Sequence, residues 1–329
     1  KKQKIKLIGD QKFHFRRDSN QQLNFIMSKQ FNNQSLVSVV MNCYNGEAYL
    51  YESIKSVLSQ TYENWELIFW DNQSTDSSAE IFKSYRDKRF RYFYANGHTP
   101  LYKARNLAIE KSKGDFIAFL DTDDLWSKEK LKLQMFYFNN PEVGVVFSNL
   151  WMLKKNLKKK KLYINKKLPR GKIYNELIEN YSVGILTSVI RKKFYLKLEK
   201  KFDERFSIIG DFDLFLRLSK ICLFESIQEP LAFYRLHGKN LSVLNKDREI
   251  KESEMWLREN KFYLSQLQIK KIQKGIDYRK FVNCKIAGKY KECIHILLRS
   301  KINPFGIKNL IIFFTPAIIL RKLLWYHQV

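Results

Sequence analysis

Between residues 36 and 120, four short apolar runs alternate with helix-patterned stretches. The runs are Leu36 to Cys43, Trp65 to Trp70, Phe90 to Tyr94 and Phe116 to Leu120, all rich in β-branched or aromatic residues. The helical stretches reach to about Ser59, start again near Ser77, and run from Tyr102 to Ser112, where Lys113-Gly114 marks a stop. A strand followed by a helix returns parallel to its predecessor, so the alternation predicts an α/β protein with a mostly parallel sheet flanked by helices. Further strands are expected at Val143 to Ser148, Val183 to Ile190 and Cys222 to Ser226, with a helix over Asp211 to Lys220. From Lys246 onward the pattern is helical, which predicts a C-terminal helical appendage.

In a parallel sheet the carboxyl ends of the strands share one edge, and ligands bind in the crevice outside it. Acidic or amide residues recur there: Asn45 after the first strand, Asp71 after the second, Asp121 and Asp123 after the fourth. The run Asp121-Thr122-Asp123-Asp124 is the densest of these, and like charges so close call for a compensating cation. Hard carboxylate oxygens suit magnesium or manganese. An isolated Asp-x-Asp would be explained as well by an acidic turn capping the helix from Ser127; convergence with the other strand ends separates the two. Lys103 and Arg105, at the start of the intervening helix, are placed to approach an anionic ligand, although a lone Arg is as readily half of a structural ion pair.

The charge balance is lopsided, with 60 Lys and Arg against 33 Asp and Glu for a net +27 among 329 residues. Such a surface attracts nucleic acid, anionic lipid or phosphorylated ligands. The lysines are dispersed, the tetralysine at 158 to 161 apart, and no zinc-finger, helix-turn-helix or RNA-binding signature accompanies them, which weighs against a basic nucleic-acid-binding protein. Four cysteines without Cys-x-x-Cys spacing fit a reduced, cytoplasmic setting. Residues 1–35 are polar and basic and read as a peripheral extension. No apolar run is long enough to span a bilayer; the stretch 310–320, broken by Pro316 and flanked by Arg321, Lys322 and Trp325, is either an interfacial segment or a buried helix pair.

Seven pieces occur in an order that resembles family 2 glycosyltransferases of the GT-A (Rossmann-like) fold. They are Ser38 to Glu47, Asp71 to Asp76, Ala104-Arg-Asn106, Lys113-Gly-Asp115, Phe119 to Trp126, Gly210 to Arg217 and Tyr234-Arg-Leu-His237. The resemblance implies a glycosyltransferase domain over 36–245, with a nucleotide-sugar half (36–125) and an acceptor half (126–245), followed by a helical region at 246–329. It also implies residue roles. Tyr44, Asn45 and Glu47 would line the nucleotide pocket, Asp71 would meet the uracil edge, and Arg105 would lie beside the base or diphosphate. Asp121 would face ribose and metal, Asp123 would ligate a Mn2+ or Mg2+ ion, and His237 would complete the metal shell. Asp211 would be the base that deprotonates the acceptor hydroxyl, giving inversion at the sugar carbon.

Two departures stand out. Gly210 occupies the place of the glutamate usual before the base, and Asn72 stands where a second aspartate is common. The Gln-x-x-Arg-Trp signature of processive synthases is absent. The expected partners are a nucleotide-sugar donor, a glycan or lipid-linked acceptor and an anionic membrane surface at the inner face of the plasma membrane. A non-catalytic nucleotide-sugar-binding module of the same fold is the other alternative, disfavoured because Asp123 and Asp211 are both present.

Overall fold

The structure is a computed structural model that describes residues 35–154, 160–299 and 314–316. The N-terminal extension up to residue 34, part of the tetralysine and most of the 310–320 stretch lie outside the described residues. The chain divides into two compact units that interleave in sequence, one from residues up to 173 with 182–202 and 217–236, the other from 174–181, 203–216 and 237 onward.

In the first unit the chain runs through β1 (Val37–Cys43), α1 (Glu47–Leu58), β2 (Trp65–Asp71), α2 (Ser78–Lys83), β3 (Phe90–Tyr94), α3 (Leu101–Glu110) and β4 (Phe116–Phe119). It continues through β5 (Leu125–Trp126), α4 (Lys130–Tyr137), β6 (Val143–Lys154) and β7 (Lys160–Leu162). In the second unit lies α5 (Tyr174–Glu179). The first unit resumes with β8 (Val189–Arg191) and α6 (Lys192–Lys197). Then comes α7 (Gly210–Ser219), and the first unit ends with β9 (Leu223–Leu236). The remaining helices, all in the second unit, are α8 (Leu241–Leu244), α9 (Lys246–Asn260), α10 (Gln266–Ile286) and α11 (Tyr290–Arg299).

The strands form one sheet in the order β3-β2-β1-β4-β8-β6-β9-β5, with β7 on β6. Its first four strands are parallel, as the alternation predicts. Beyond β4 the sheet turns mixed, because β8 runs antiparallel to both β4 and β6. Every residue of β2 is buried and β1 is buried along nearly all its length, which is why both read as continuous apolar runs and not as an alternating pattern. Ahead of the terminal Asp71, Glu66 is the exception inside β2. Burial alone would raise its carboxyl, but hydrogen bonds from Ser38 Oγ (2.6 Å), the Lys113 N–H (2.6 Å) and Arg91 (2.8 Å) outweigh it and hold the group below the ordinary value.

Gly114 is required by proximity: a Cβ there would lie 2.5 Å from the Leu36 carbonyl oxygen. Two sequence readings change in detail. The segment expected as a strand from Val183 begins with a short 3-10 turn, Ile185–Thr187, and only Val189–Arg191 pairs. The short strand expected at 222–226 is the start of the 14-residue β9, which crosses Pro230 where the β6–β9 register shifts. Proline lacks the N–H that a regular ladder needs, and a bulge accommodates it.

Lys130, in the first turn of α4, has no solvent exposure, and its Nζ has no hydrogen-bond partner among the described residues. The nitrogen sits 4.1 Å from the Trp126 ring centroid, a contact that favours the charged form by about 0.5–2 kcal/mol. Complete burial disfavours that form more strongly and pushes the Lys130 pKa well down. Between that lowered value and the ordinary 10.5 the unfolded chain binds more protons than the folded one, so stability rises with pH across that window. Lys130→Met is expected to raise unfolding free energy at pH 7 by about 1–4 kcal/mol, with the gain shrinking towards pH 10.5; denaturant titrations at the two pH values measure it.

Among the described residues no helix is long and apolar enough to cross a membrane.

Candidate active site

The acidic run emerges where β4 ends. Leu120 is still buried, the Asp124 N–H closes a turn onto the Asp121 carbonyl at 3.2 Å, and the chain re-enters the sheet as β5 against β9. The three carboxylates are thereby sorted. Asp124 is 1% exposed, and its Oδ1 accepts the Arg235 backbone N–H at 2.8 Å. Burial first, then the neighbouring Asp123 and Asp121 charges, push its carboxyl well up. Asp121 and Asp123 remain partly exposed at the strand end.

Arg235 is the clamp of this turn. Its Nε donates to the Asp123 carbonyl at 2.8 Å, its guanidinium pairs with Glu52 of α1 at 2.5 Å, and it lies 4.5 Å over the Tyr49 ring. On the α1 side, Ser53 Oγ donates within 2.7 Å of both the Thr122 and Asp124 carbonyls. Gly46 packs so tightly beneath the turn that a Cβ would meet Thr122 Oγ1 at 2.8 Å. These contacts fix the turn before any ligand arrives. Arg105 is 2% exposed and donates to Asp121 Oδ1 at 2.8 Å, whereas Lys103, two residues earlier on α3, is exposed.

The β1–α1 and β2–α2 loops are laced together beside this turn. Asn45 takes a left-handed φ of 54°, and its Oδ1 accepts the Thr75 N–H at 2.8 Å. Glu47 Oε2 accepts the Ser77 N–H at 3.0 Å, while the Glu47 N–H donates to Asp76 at 3.0 Å. Asp71 has no exposure; its Oδ1 accepts the Ser74 N–H and its Oδ2 the Tyr92 hydroxyl, each at 2.7 Å. In this arrangement Asp71 props the 72–76 loop from inside. Burial and the bond to Asp71 push the Tyr92 phenol up.

Tyr44 is 55% exposed, with its ring centroid 4.4 Å from that of His98. Asn72 braces the His98 segment, accepting the Thr99 N–H at 3.1 Å and donating to the Thr99 carbonyl at 2.7 Å. His98 and Arg235 were not singled out by sequence reasoning. For Arg235 the sequence signal lies in Tyr234-Arg-Leu-His237.

Asp211 and His237 belong to the second unit. Asp211 lies in the first turn of α7 and its Oδ1 accepts the Phe212 N–H at 2.9 Å. His237 directly follows β9; its Nδ1 accepts the Lys239 N–H at 3.2 Å, and its own N–H donates to Asn240 Oδ1 at 2.7 Å.

For a metal, the donor set is short. No group of three His, Cys, Asp or Glu among the described residues could cage an ion alone. Magnesium and manganese in nucleotide sites are commonly held by one or two carboxylates, with phosphate oxygens and water supplying the rest. The partly exposed carboxylates Asp121 and Asp123 fit that kind of site.

A sequence profile described as "Glycosyl transferase family 2" matches residues 38–198. An Escherichia coli protein named UDP-Glc:alpha-D-GlcNAc-diphosphoundecaprenol beta-1,3-glucosyltransferase WfgD is 33% identical over 221 residues, covering 66% of this chain and 83% of the relative. An uncharacterized glycosyltransferase of Rickettsia bellii is 33% identical over 224 residues, but the chain spans only 32% of that relative's length. In fold, the chain is similar to Staphylococcus aureus TarS 1-349, with a TM-score of 0.57 at 18% identity, covering 84% of this chain and 79% of that one. From the profile match, the Escherichia coli relative and the mixed sheet with its acidic strand end, the chain belongs to the family 2 glycosyltransferases and has the GT-A fold.

Proposed function

We propose that this protein is an inverting, metal-dependent glycosyltransferase that moves one sugar from a UDP-sugar to a hydroxyl of a lipid-linked saccharide during surface polysaccharide synthesis. The observation that carries the reading is the acidic turn itself. Of its three carboxylates one is buried as a prop, and two are left partly exposed where a parallel sheet binds its ligand. The relative from Escherichia coli, whose name specifies UDP-Glc and a diphosphoundecaprenol-linked acceptor, supports this donor and acceptor class.

In this reading Tyr44 offers an exposed ring against which a base stacks, and the Asn45 and Glu47 loop shapes the nucleotide edge. Lys103 faces the diphosphate, and Arg105 steadies Asp121. Asp121 and Asp123, with His237, would hold a Mn2+ or Mg2+ ion; when bound, it supplies positive charge against the departing diphosphate. Asp211 takes the proton of the acceptor hydroxyl as its oxygen bonds to the anomeric carbon, the bond from that carbon to the UDP oxygen breaks, and the configuration inverts. The test is a panel of UDP-sugars with manganese and a diphosphate-lipid-linked saccharide. Acceptor-dependent release of UDP is expected; no turnover with any donor, together with tight, specific nucleic-acid binding, would favour the basic-binder reading instead.

The acceptor class and the +27 charge also support peripheral contact with an anionic membrane. Phe262, Tyr263 and Leu267, exposed by 84%, 77% and 61%, follow exposed Arg258 and Lys261 and precede exposed Lys270 and Lys274. Apolar rings among cations suit a lipid headgroup layer. Cosedimentation with phosphatidylglycerol vesicles, absent with neutral vesicles and weakened in 0.5 M salt, is the expected result.

A further inference from the structure

The segment that carries Asp211 is held by a part of the chain that the family motifs do not include. Residues 207–209 run directly into α7, and three consecutive backbone N–H groups there donate to a single carboxylate. Glu252 on α9 accepts the Ser207 N–H at Oε1 (2.8 Å) and the Ile208 and Ile209 N–H groups at Oε2 (2.9 and 3.2 Å). It is 5% exposed, and Arg248, one turn earlier, donates to its Oε1 at 2.9 Å. Two more ties run from the same helix. Trp256 Nε1–H donates to Asp213 Oδ1 at 3.0 Å, and Glu259 receives both terminal nitrogens of Arg205 at 2.8 Å. Glu252, Trp256 and Glu259 follow i, i+4, i+7 spacing, so one face of α9 is devoted to residues 203–213.

We propose that Glu252 is a positioning residue for sugar transfer: it fixes the backbone entering α7 so that Asp211 is presented in one orientation. The proposal rests on the reading of Asp211 as the base. Gly210, the first residue of α7, gives such a device something to restrain. Glycine is the residue that leaves the backbone freest, and here it immediately precedes the proposed base in place of a glutamate. Glu252 brings a carboxylate to the adjoining amide from 43 residues further along the chain. Charge-assisted bonds to three successive N–H groups remove the freedom that glycine adds. This makes α9 a positioning element for the segment that carries Asp211 and not a dispensable appendage.

Glu252→Gln tests this in the full chain. The amide keeps the size but turns one acceptor into a donor facing N–H groups. Two readouts are needed: hydrogen exchange at residues 207–213, and turnover normalised to the number of sites that bind UDP. Faster exchange of the three amides is expected, with kcat per site down at least tenfold and donor KM within twofold of the parent. Trp256→Phe, which removes the N–H to Asp213 together with part of a buried ring, serves if the glutamine variant does not fold, and is expected to lower kcat per site in the same way. Unchanged kcat per site, even with faster exchange, would leave Glu252 a packing residue and overturn the proposal; so would an equal loss of donor affinity. Absence of transfer by the parent enzyme would instead sink the reading of Asp211, and the proposal with it.

Discussion

Asp211→Asn is expected to lower kcat by ~10²–10⁴-fold, the range that a positioned general base contributes, while donor binding stays within a few-fold of the parent. The substitution is nearly isosteric. The asparagine oxygen can still accept the Phe212 N–H that Asp211 Oδ1 now accepts at 2.9 Å, so the start of α7 is retained. What is lost is the group able to take a proton from the acceptor hydroxyl. Steady-state turnover with a lipid-linked acceptor, alongside titration with UDP, separates the two effects. Turnover within a few-fold of the parent would remove Asp211 as the base.

Asp123→Ala is expected to weaken donor binding and turnover together, by ~10²–10³-fold, the loss typical of removing one group that stabilises developing charge. The backbone contribution at this position survives, because Arg235 Nε bonds to the Asp123 carbonyl and not to its carboxylate. The turn therefore keeps its shape while one hard donor disappears. Chelation with EDTA should produce the same loss in the parent protein, and manganese should restore it. Full activity in EDTA would contradict the role given to the cation, and unchanged donor affinity in the alanine variant would remove Asp123 as a ligand.

The first four strands were legible because each is a short, nearly continuous apolar run bounded by turn residues, and all four appear where the alternation places them. Past β4 the sheet departs from a doubly wound plan, and the reason lies in residues that do not look like strand. β5 has only two residues, and β9 carries Glu225, Glu229 and Pro230 within a ladder whose register shifts absorb the proline. Within the site, the acidic run stood out by charge, but spacing could not say which carboxylate is buried. That depends on Arg235, whose backbone N–H reaches Asp124 across 111 residues of sequence. Asp71 shows the same limit: its place at a strand end was readable, whereas its enclosure by Ser74 and Tyr92 depends on loop geometry. Glu252 was invisible, since nothing in a lysine- and glutamate-rich helix distinguishes a glutamate that meets three amides from one that meets water.

The configuration of the newly formed glycosidic bond tests the account most directly. Proton NMR of the product made from an α-linked UDP-sugar should show a β-anomer, the outcome of a single displacement by a hydroxyl that Asp211 has deprotonated. An α-linked product would contradict that displacement and the role of Asp211 in it.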